Sequence, residues 1–433
     1  MLLRYIVTSL HRLFMKSLFK FIITKILAFK ARNFLKKHHI QVIAVTGSIG
    51  KTSTKEAIYH ILKNRFKIYR SPQGFNTELG ISLAILQEEK SGFSSIKAWY
   101  QILKNVFSEK KDVYQKIILE MGADKRGDIK KLIRIAKPKI GVITNVNPVH
   151  LGKGQFKNLD DIRKEKNSLI RNMHKDGIAI LNYDDPLVKS METSAQKVSY
   201  GLGADIDARG SALEPLSRSL RFKVDYNGES ADFEVPVLGN FQVYSLLPAI
   251  TVALKLGMSL NDCAEALKDF KLPPGRTSPV PGFNKSTIID GSYNASPTSM
   301  TRALELLAEL KGDKKIAALG TMNELGDMEK EAHLTLGAEA SKSANILVAV
   351  GQEAATIKQG AIDAGMPEKD VFTFFDSEEA GHFIKNMLQP KDLVLVKGSQ
   401  NRVRMEKLVK IIMEHPEQAG ITLCRQDEAW ENI

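Results

Sequence analysis

Cysteine is nearly missing from this chain of 433 residues: Cys263 and Cys424 are the only two, far apart and without histidines at ligand spacing. That excludes a disulfide framework and a Cys/His zinc site, and it suits a reducing compartment, so a cytoplasmic location is expected. Long uncharged apolar runs are missing too. Near the N-terminus Lys16, Lys20, Lys25 and Lys30 break each apolar run short of the ~20 residues that a membrane-spanning helix needs. No apolar block followed by a small-residue cleavage site occurs there, which argues against a secretory signal. Acidic residues are absent from positions 1–39, where nine basic ones stand: Arg4, Arg12, Lys16, Lys20, Lys25, Lys30, Arg32, Lys36 and Lys37. The net charge of +13 is therefore concentrated in this stretch, and the remainder, with 53 Lys/Arg against 49 Asp/Glu, carries only +4. Basicity this local is not the mark of a nucleic-acid-binding body, and no nucleic-acid partner is expected.

What the first forty residues do hold is apolar side chains at helical spacing, among them Leu10, Leu13, Phe14, Leu18, Phe21, Ile22, Ile26 and Phe29, with Arg12, Lys16 and Lys20 on one stripe. Residues 1–40 thus read as a basic amphipathic helical arm. Two settings remain open for it: the surface of an anionic membrane, at the inner face of the plasma membrane, or a packing site on the protein body or a second subunit.

The next stretch, Val42-Ile43-Ala44-Val45-Thr46-Gly47-Ser48-Ile49-Gly50-Lys51-Thr52-Ser53, is an apolar strand running into a glycine-bracketed turn. Backbone N–H groups of such a turn, with the N-terminus of the helix behind it, wrap nucleotide phosphates; Lys51 neutralises β/γ charge and the Thr52 hydroxyl suits Mg²⁺. Val45 stands where the full pattern has its first glycine, so the loop is a shortened form.

A chain this long points to two or three domains. From Gln41 strand and helix patterns alternate: a helix at Lys55–Asn64, strands at Lys67–Arg70, Lys116–Met121 and Ile140–Asn145, and helices from Leu79 and over Asp128–Ala136. Such alternation predicts a doubly wound parallel sheet of the P-loop NTPase kind. Residues 205–237 change to short alternating runs about Asn227-Gly228, the mark of a β-hairpin, expected as an antiparallel flap on the same domain. After the Pro/Gly-rich 272–282 a fresh alternation begins, with strands at Thr287–Asp290, Lys315–Leu319, Ile346–Val350, Val371–Phe375 and Leu393–Lys397. The expected domains are 1–40, 41–280 and 281–433, the last a Rossmann-like α/β unit.

Further motifs stand in order along the chain: Gly74-Phe75-Asn76-Thr77-Glu78-Leu79-Gly80, Leu119-Glu120-Met121-Gly122-Ala123, Asn145-Val146-Asn147-Pro148-Val149-His150-Leu151 and Arg163-Lys164-Glu165-Lys166. In the second half come Pro274-Gly275-Arg276, Asp290-Gly291-Ser292-Tyr293-Asn294-Ala295-Ser296-Pro297, Leu319-Gly320-Thr321-Met322-Asn323-Glu324-Leu325-Gly326 and Val396-Lys397-Gly398-Ser399. Together with the phosphate loop they resemble the Mur ligases, and among these the type that adds D-alanyl-D-alanine to a muramoyl tripeptide. The likeness covers roughly residues 41–412.

The resemblance implies an ATP-dependent, ADP-forming peptide ligase of peptidoglycan precursor synthesis. Its partners would be a muramoyl-peptide-like carboxyl substrate and a dipeptide amine, joined through an acyl phosphate. It implies ATP on Gly47, Ser48, Ile49, Gly50, Lys51, Thr52 and Ser53, with Arg276 at the hinge reaching back to the phosphates when the domains close and Asn294 on the second domain's face. It also implies two Mg²⁺ sites, drawing on Thr52, Glu120, His150 and a Lys166 converted by CO₂ to a carbamate, with Lys164 as the alternative lysine. Lys51, Glu120, His150 and Lys166 would form the catalytic set. Asn76 and Thr77 would face the carboxyl substrate, and Lys397 and Ser399 the amine.

The chain departs from the family at three places. Gly239-Asn240-Phe241-Gln242 replaces a Gly-x-His-Asn run, leaving Phe241 to stack on a base and Gln242 to bond it; Gly291 replaces an aspartate, with Asp290 as the residue nearest the ribose. Only about forty residues precede the loop, where the family has a UDP-sugar domain, so a lipid-linked or truncated muropeptide is expected. A folylpolyglutamate-type ligase and a nucleotide-binding scaffold without ligation are the alternatives.

Overall fold

The structure, a computed structural model, describes the backbone of residues 2–88, 96–108, 112–152, 154–216, 218–400, 403–426 and 430. Side chains are described for the same residues except 2–17, 96–98 and 108, so those of Arg4, Arg12 and Lys16 lie outside the described residues.

Apolar alternation builds the central sheet. In β1 (Gln41–Thr46), Val42 and Ala44 enter the core on one face while Ile43 and Val45 enter the core on the other, as period-two side chains do. β2 (Ile68–Arg70), β3 (Lys116–Glu120), β4 (Ile140–Ile143), β5 (Ile178–Asn182) and β6 (Gln196–Gly201) lie parallel to it, in the order β2-β3-β1-β4-β5-β6. The chain leaves β1 in one direction and returns to its other side, so β1 flanks the switch point where such sheets place ligands. β7 (Ala208–Pro215), β8 (Leu220–Tyr226) and β9 (Glu229–Val235) continue the same sheet. The segment expected as a flap is thus sheet proper: β6 pairs with β7 in parallel, and β7, β8 and β9 are antiparallel. Asn227 and Gly228 turn β8 into β9 with φ of 50° and 83°, the conformation that two-residue hairpin loops demand.

The second sheet holds β10 (Ser278–Gly282), β11 (Ser286–Gly291), β12 (Lys315–Gly320), β13 (Ile346–Val350), β14 (Val371–Phe374) and β15 (Leu393–Lys397), in the order β10-β11-β15-β12-β13-β14. Its strands are parallel except β10. Two residues of the Pro-rich segment, Pro279 and Pro281, lie in this edge strand, where a missing N–H is tolerated. The carboxyl ends of β1, β3 and β4 and those of β11, β12 and β15 line one cleft between the two sheets.

Helix α1 (Leu2–Lys37) is continuous. Ile23, Leu27, Ala31 and Leu35, four apart, are buried in the core beside α3 (Glu78–Ile85), and Lys25 pairs with Glu78 at 2.5 Å. Phe19 meets Trp99 of α4 (Ile96–Ser108) edge-on at 6.3 Å, and Lys30 sits over the Phe107 ring. The second half of the arm is therefore docked on the protein body. Leu27→Ala should lower unfolding free energy by about 2–5 kcal/mol, because a fully enclosed side chain leaves a cavity. Denaturant melting checks this, and an unchanged midpoint would mean that α1 does not belong to the core.

Candidate active site

The phosphate loop is shaped by its neighbours. Gly47 has φ of 144°, and a Cβ there would lie 1.9 Å from Thr144 Oγ1, so no side chain fits the turn beside β4. Gly50, at φ 85°, caps α2 (Lys51–Leu62). That helix starts four residues earlier than expected, because Lys51-Thr52-Ser53-Thr54 carries little helical periodicity. Asn145 holds the loop from behind: its carbonyl accepts from the Ser48 N–H at 3.0 Å and its side-chain oxygen from the Ile49 N–H at 2.9 Å. Lys51 folds back on the carbonyls of Gly47 and Ser48, at 2.9 and 3.1 Å. Burial draws its ammonium below the ordinary lysine range, with Glu120 opposing the shift.

Glu120 ends β3 facing this loop. Thr52 donates its hydroxyl to Glu120 at 2.9 Å and accepts from Arg276 Nη2 at 2.8 Å. Burial alone would raise the Glu120 pKa, but Lys51, Lys55, Arg276 and the Thr52 hydrogen bond outweigh it and hold the carboxyl below its usual value. A hydroxyl and an ionised carboxylate side by side fit Mg²⁺, which takes one or two protein oxygens and completes its shell with phosphates and water. Among the described residues no three His, Cys, Asp or Glu side chains form a closed metal cage.

His150 follows β4 with φ of 56° and meets Glu324 of the other sheet, Nδ1 to Oε2, at 2.6 Å; Asp124 Oδ1 is 3.7 Å away. The hydrogen bond from His150 holds the Glu324 carboxyl below its usual range despite partial burial. Lys166 lies on α6 (Leu159–Arg171) and is 1% exposed. Its neighbour Glu165 accepts from the N–H groups of Gly127 and Ile129, at 2.7 Å each, and so locks α6 to the start of α5 (Asp128–Ile135). Among the described residues Lys166 makes no hydrogen bond or ion pair. Burial, reinforced by Lys51, draws its pKa down to about 7. Lys164, the alternative, points to solvent and pairs with Asp160 at 2.6 Å.

Arg276 carries the second domain into the site. Its guanidinium lies 3.9 Å from the centre of the Tyr293 ring, and the Gln242 amide holds its carbonyl at 3.4 Å. Gln242 thus grips the linker and lines the cleft, and Phe241 packs against the second domain's core and lines the cleft as well. Asp290 differs from expectation. It is fully buried, with one carboxylate oxygen taken by the Gly275 N–H and the other by the Ser292 N–H, so it braces the linker and does not face a ribose. Lys397 donates to the Asn294 carbonyl at 2.9 Å, and burial, aided by Arg276, lowers its pKa to about 8. Ser399 ties the Ala295 carbonyl to the Asn323 N–H. Thr77 caps α3, accepting from the Gly80 N–H, whereas Asn76 lines the cleft. The cleft encloses ≈ 360 Å³. Asp124, Tyr293, Arg302 and Glu324 also line it; Tyr293 and Glu324 stand within the sequence motifs, whereas Asp124 and Arg302 lie outside them. Asp124 follows the end of β3 and Arg302 sits on the helix after β11, so strand-end position was the available signal for these two.

A family model described as the Mur ligase middle domain matches residues 45–253, and one described as the Mur ligase glutamate ligase domain matches 275–400. The UDP-N-acetylmuramoyl-tripeptide–D-alanyl-D-alanine ligase of Mycobacterium bovis is 30% identical over 386 residues, covering 83% of this chain and 70% of that protein. The chain belongs to the Mur ligase family. The corresponding Bacillus subtilis ligase is 29% identical over 389 residues, covering 89% of this Mur ligase and 79% of its own length. The structure of the MurF ligase from Thermotoga maritima in complex with ADP has a TM-score of 0.76 at 26% identity, covering 91% of this chain and 84% of that one. This Mur ligase is therefore an ATP-dependent, ADP-forming enzyme. Lys51→Ala should abolish ATP turnover with an unchanged melting curve, since the lysine's charge is used on phosphate oxygens. Half of the activity retained in a phosphate-release assay would refute the loop's role.

Proposed function

We propose that this Mur ligase joins D-alanyl-D-alanine to the terminal carboxylate of a muramoyl peptide in peptidoglycan precursor synthesis. The observation that carries the reading is one cleft with two unlike walls: a phosphate loop with Thr52 and Glu120 2.9 Å apart, facing Lys397 and Asn294 of the second sheet. Amide formation in water is uphill, so the carboxylate is first activated. Its oxygen attacks the γ-phosphorus of ATP, the bond to the bridging oxygen breaks and ADP leaves. The dipeptide amine then attacks the acyl carbon, nitrogen loses a proton and inorganic phosphate departs. Lys51 and Arg276 stand where phosphoryl charge grows, Asn76 orients the carboxyl substrate, and Lys397 receives the dipeptide carboxylate. Mg²⁺ held by Thr52 and Glu120 would neutralise phosphate oxygens. His150 and a carbamate on Lys166 are the ligands we assign to a second Mg²⁺. With both substrates present, mass spectrometry should find the ligated peptide and a matching release of phosphate. Phosphate release indifferent to either substrate would favour a scaffold, and a glutamylated folate product would favour the folylpolyglutamate reading.

The carbamate has its own chemistry. The neutral amine adds CO₂ and releases a proton, and an ordinary lysine would be neutral in only about one molecule in three thousand at pH 7. A pKa drawn down to about 7 leaves roughly half of Lys166 ready to react. Carbamylation should therefore rise with pH through neutrality. A carbamate signal in ¹³C NMR under labelled CO₂ should vanish in Lys166→Ala and persist in Lys164→Ala; the reverse would move the role to Lys164.

The outer face of α1 supports a peripheral place on an anionic membrane. Opposite its docked stripe, Phe21 and Phe29 are 59% and 63% exposed, with Leu18, Ile22 and Ile26 beside them. Among the described residues no helix is long and apolar enough to cross a membrane. Basic residues near an anionic surface contribute about 1 kcal/mol each, and the exposed apolar stripe adds burial. Such a place would suit a lipid-linked muropeptide. Full-length protein should co-sediment with phosphatidylglycerol vesicles at low salt and release as salt rises. Phe21→Ser with Phe29→Ser should lose binding while keeping its melting temperature, and no binding by the full chain at low salt would overturn the membrane reading.

A further inference from the structure

His150 and Glu324 share an unusual backbone. Both are non-glycine residues in the left-handed region, at φ of 56° and 62°, and they come from different sheets to meet across the cleft. Conformations of this kind persist only where surrounding structure imposes them, and they concentrate at functional sites.

The surroundings on the Glu324 side are well defined. The Met322 N–H donates to His333 Nε2 at 2.9 Å, the Asn323 N–H to Ser399 Oγ at 3.0 Å, and the Asn323 side chain to the Gln400 carbonyl at 2.8 Å. All of these partners belong to the second α/β unit, so the loop is fixed before it touches the first. From there the Glu324 carbonyl accepts from the Leu151 N–H at 3.2 Å, and its carboxylate reaches His150 Nδ1 at 2.6 Å. The two loops approach so closely that a Cβ on Gly326 would lie 2.9 Å from the Leu151 carbonyl oxygen.

A carboxylate only accepts, so Nδ1 must carry the hydrogen. The lone pair is then on Nε2, the other ring nitrogen, which makes no hydrogen bond among the described residues. A carboxylate behind a histidine in this way fixes its tautomer and raises its basicity as a metal ligand.

We propose that Glu324 is a positioning residue that presents His150 to the second Mg²⁺, so that this metal site is complete only when the two α/β units are closed on each other. The inference rests on the reading of His150 as a ligand, and the test separates the two. Mn²⁺ serves as the probe, titrated by EPR into full-length protein with a non-hydrolysable ATP analogue. The native protein should take up two ions, and His150→Ala should lose the weaker one. Glu324→Ala should weaken that same ion by about 10–100-fold and leave the ion at Thr52 and Glu120 unchanged. Without metal or nucleotide, Glu324→Ala should also show a larger radius of gyration by X-ray scattering. Glu324→Gln, which keeps an acceptor in the same shape, should fall between the two and guards against a folding defect. If His150→Ala still binds two ions, the ligand reading fails. If His150→Ala loses one while Glu324→Ala and Glu324→Gln bind like the native protein, Glu324 has no positioning role.

Discussion

The Thr52 hydroxyl stands at the middle of the cleft, donating to Glu120 and accepting from Arg276. This three-residue chain joins the phosphate loop, the end of β3 and the linker to the second sheet. Its geometry depends on further contacts around the linker. Asp290 holds the linker by the N–H of Gly275, Gln242 holds the carbonyl of Arg276, and Tyr293 supports the guanidinium. Domain placement and the electrostatics of the phosphate site are thus one problem. A shift of the linker moves the cation that faces Thr52, and loss of that cation changes the charge around Glu120.

Burial sets the chemistry of the remaining groups. Lys51, Lys166 and Lys397 all lie in or beside the cleft with pKa values below the lysine norm, chiefly because each is desolvated. Water elsewhere would hold such amines protonated, whereas here their charge is costly until an anion arrives. Phosphates and carboxylates therefore meet cations that are not satisfied by solvent. Lys166 is the extreme case, enclosed without a hydrogen bond among the described residues, while Lys164 two positions earlier is an ordinary surface residue. A helical step of two residues turns a side chain about 200° round the axis, which is why these neighbours have opposite environments.

Helix α1 combines two surfaces that a sequence pattern does not separate. Apolar residues occur on more than one side, and only docking against α3 decides that Ile23, Leu27, Ala31 and Leu35 face the core while Phe21 and Phe29 remain outside. Packing on the body and lying on a lipid surface are not exclusive for such a helix. Its docked stripe answers for the first, and the uncovered aromatic stripe leaves room for the second.

Local periodicity and glycine placement in the sequence were enough to determine the α/β class, the phosphate loop and the strand ends that carry Glu120 and Lys397, while His150 lies in the loop after β4. These features depend on neighbours within a few residues, so a linear pattern contains them. The hairpin at Asn227-Gly228 was legible for the same reason, but its membership in the central sheet was not, because the β6 to β7 pairing is a contact at longer range. Tertiary structure alone decided that Asp290 and Gln242 brace the linker and that Glu324 meets His150 across 174 positions. The physical reason is common to all of them. A polar side chain takes its role from the nearest unpaired donor or acceptor, and in a folded chain that partner is set by how separate segments pack together.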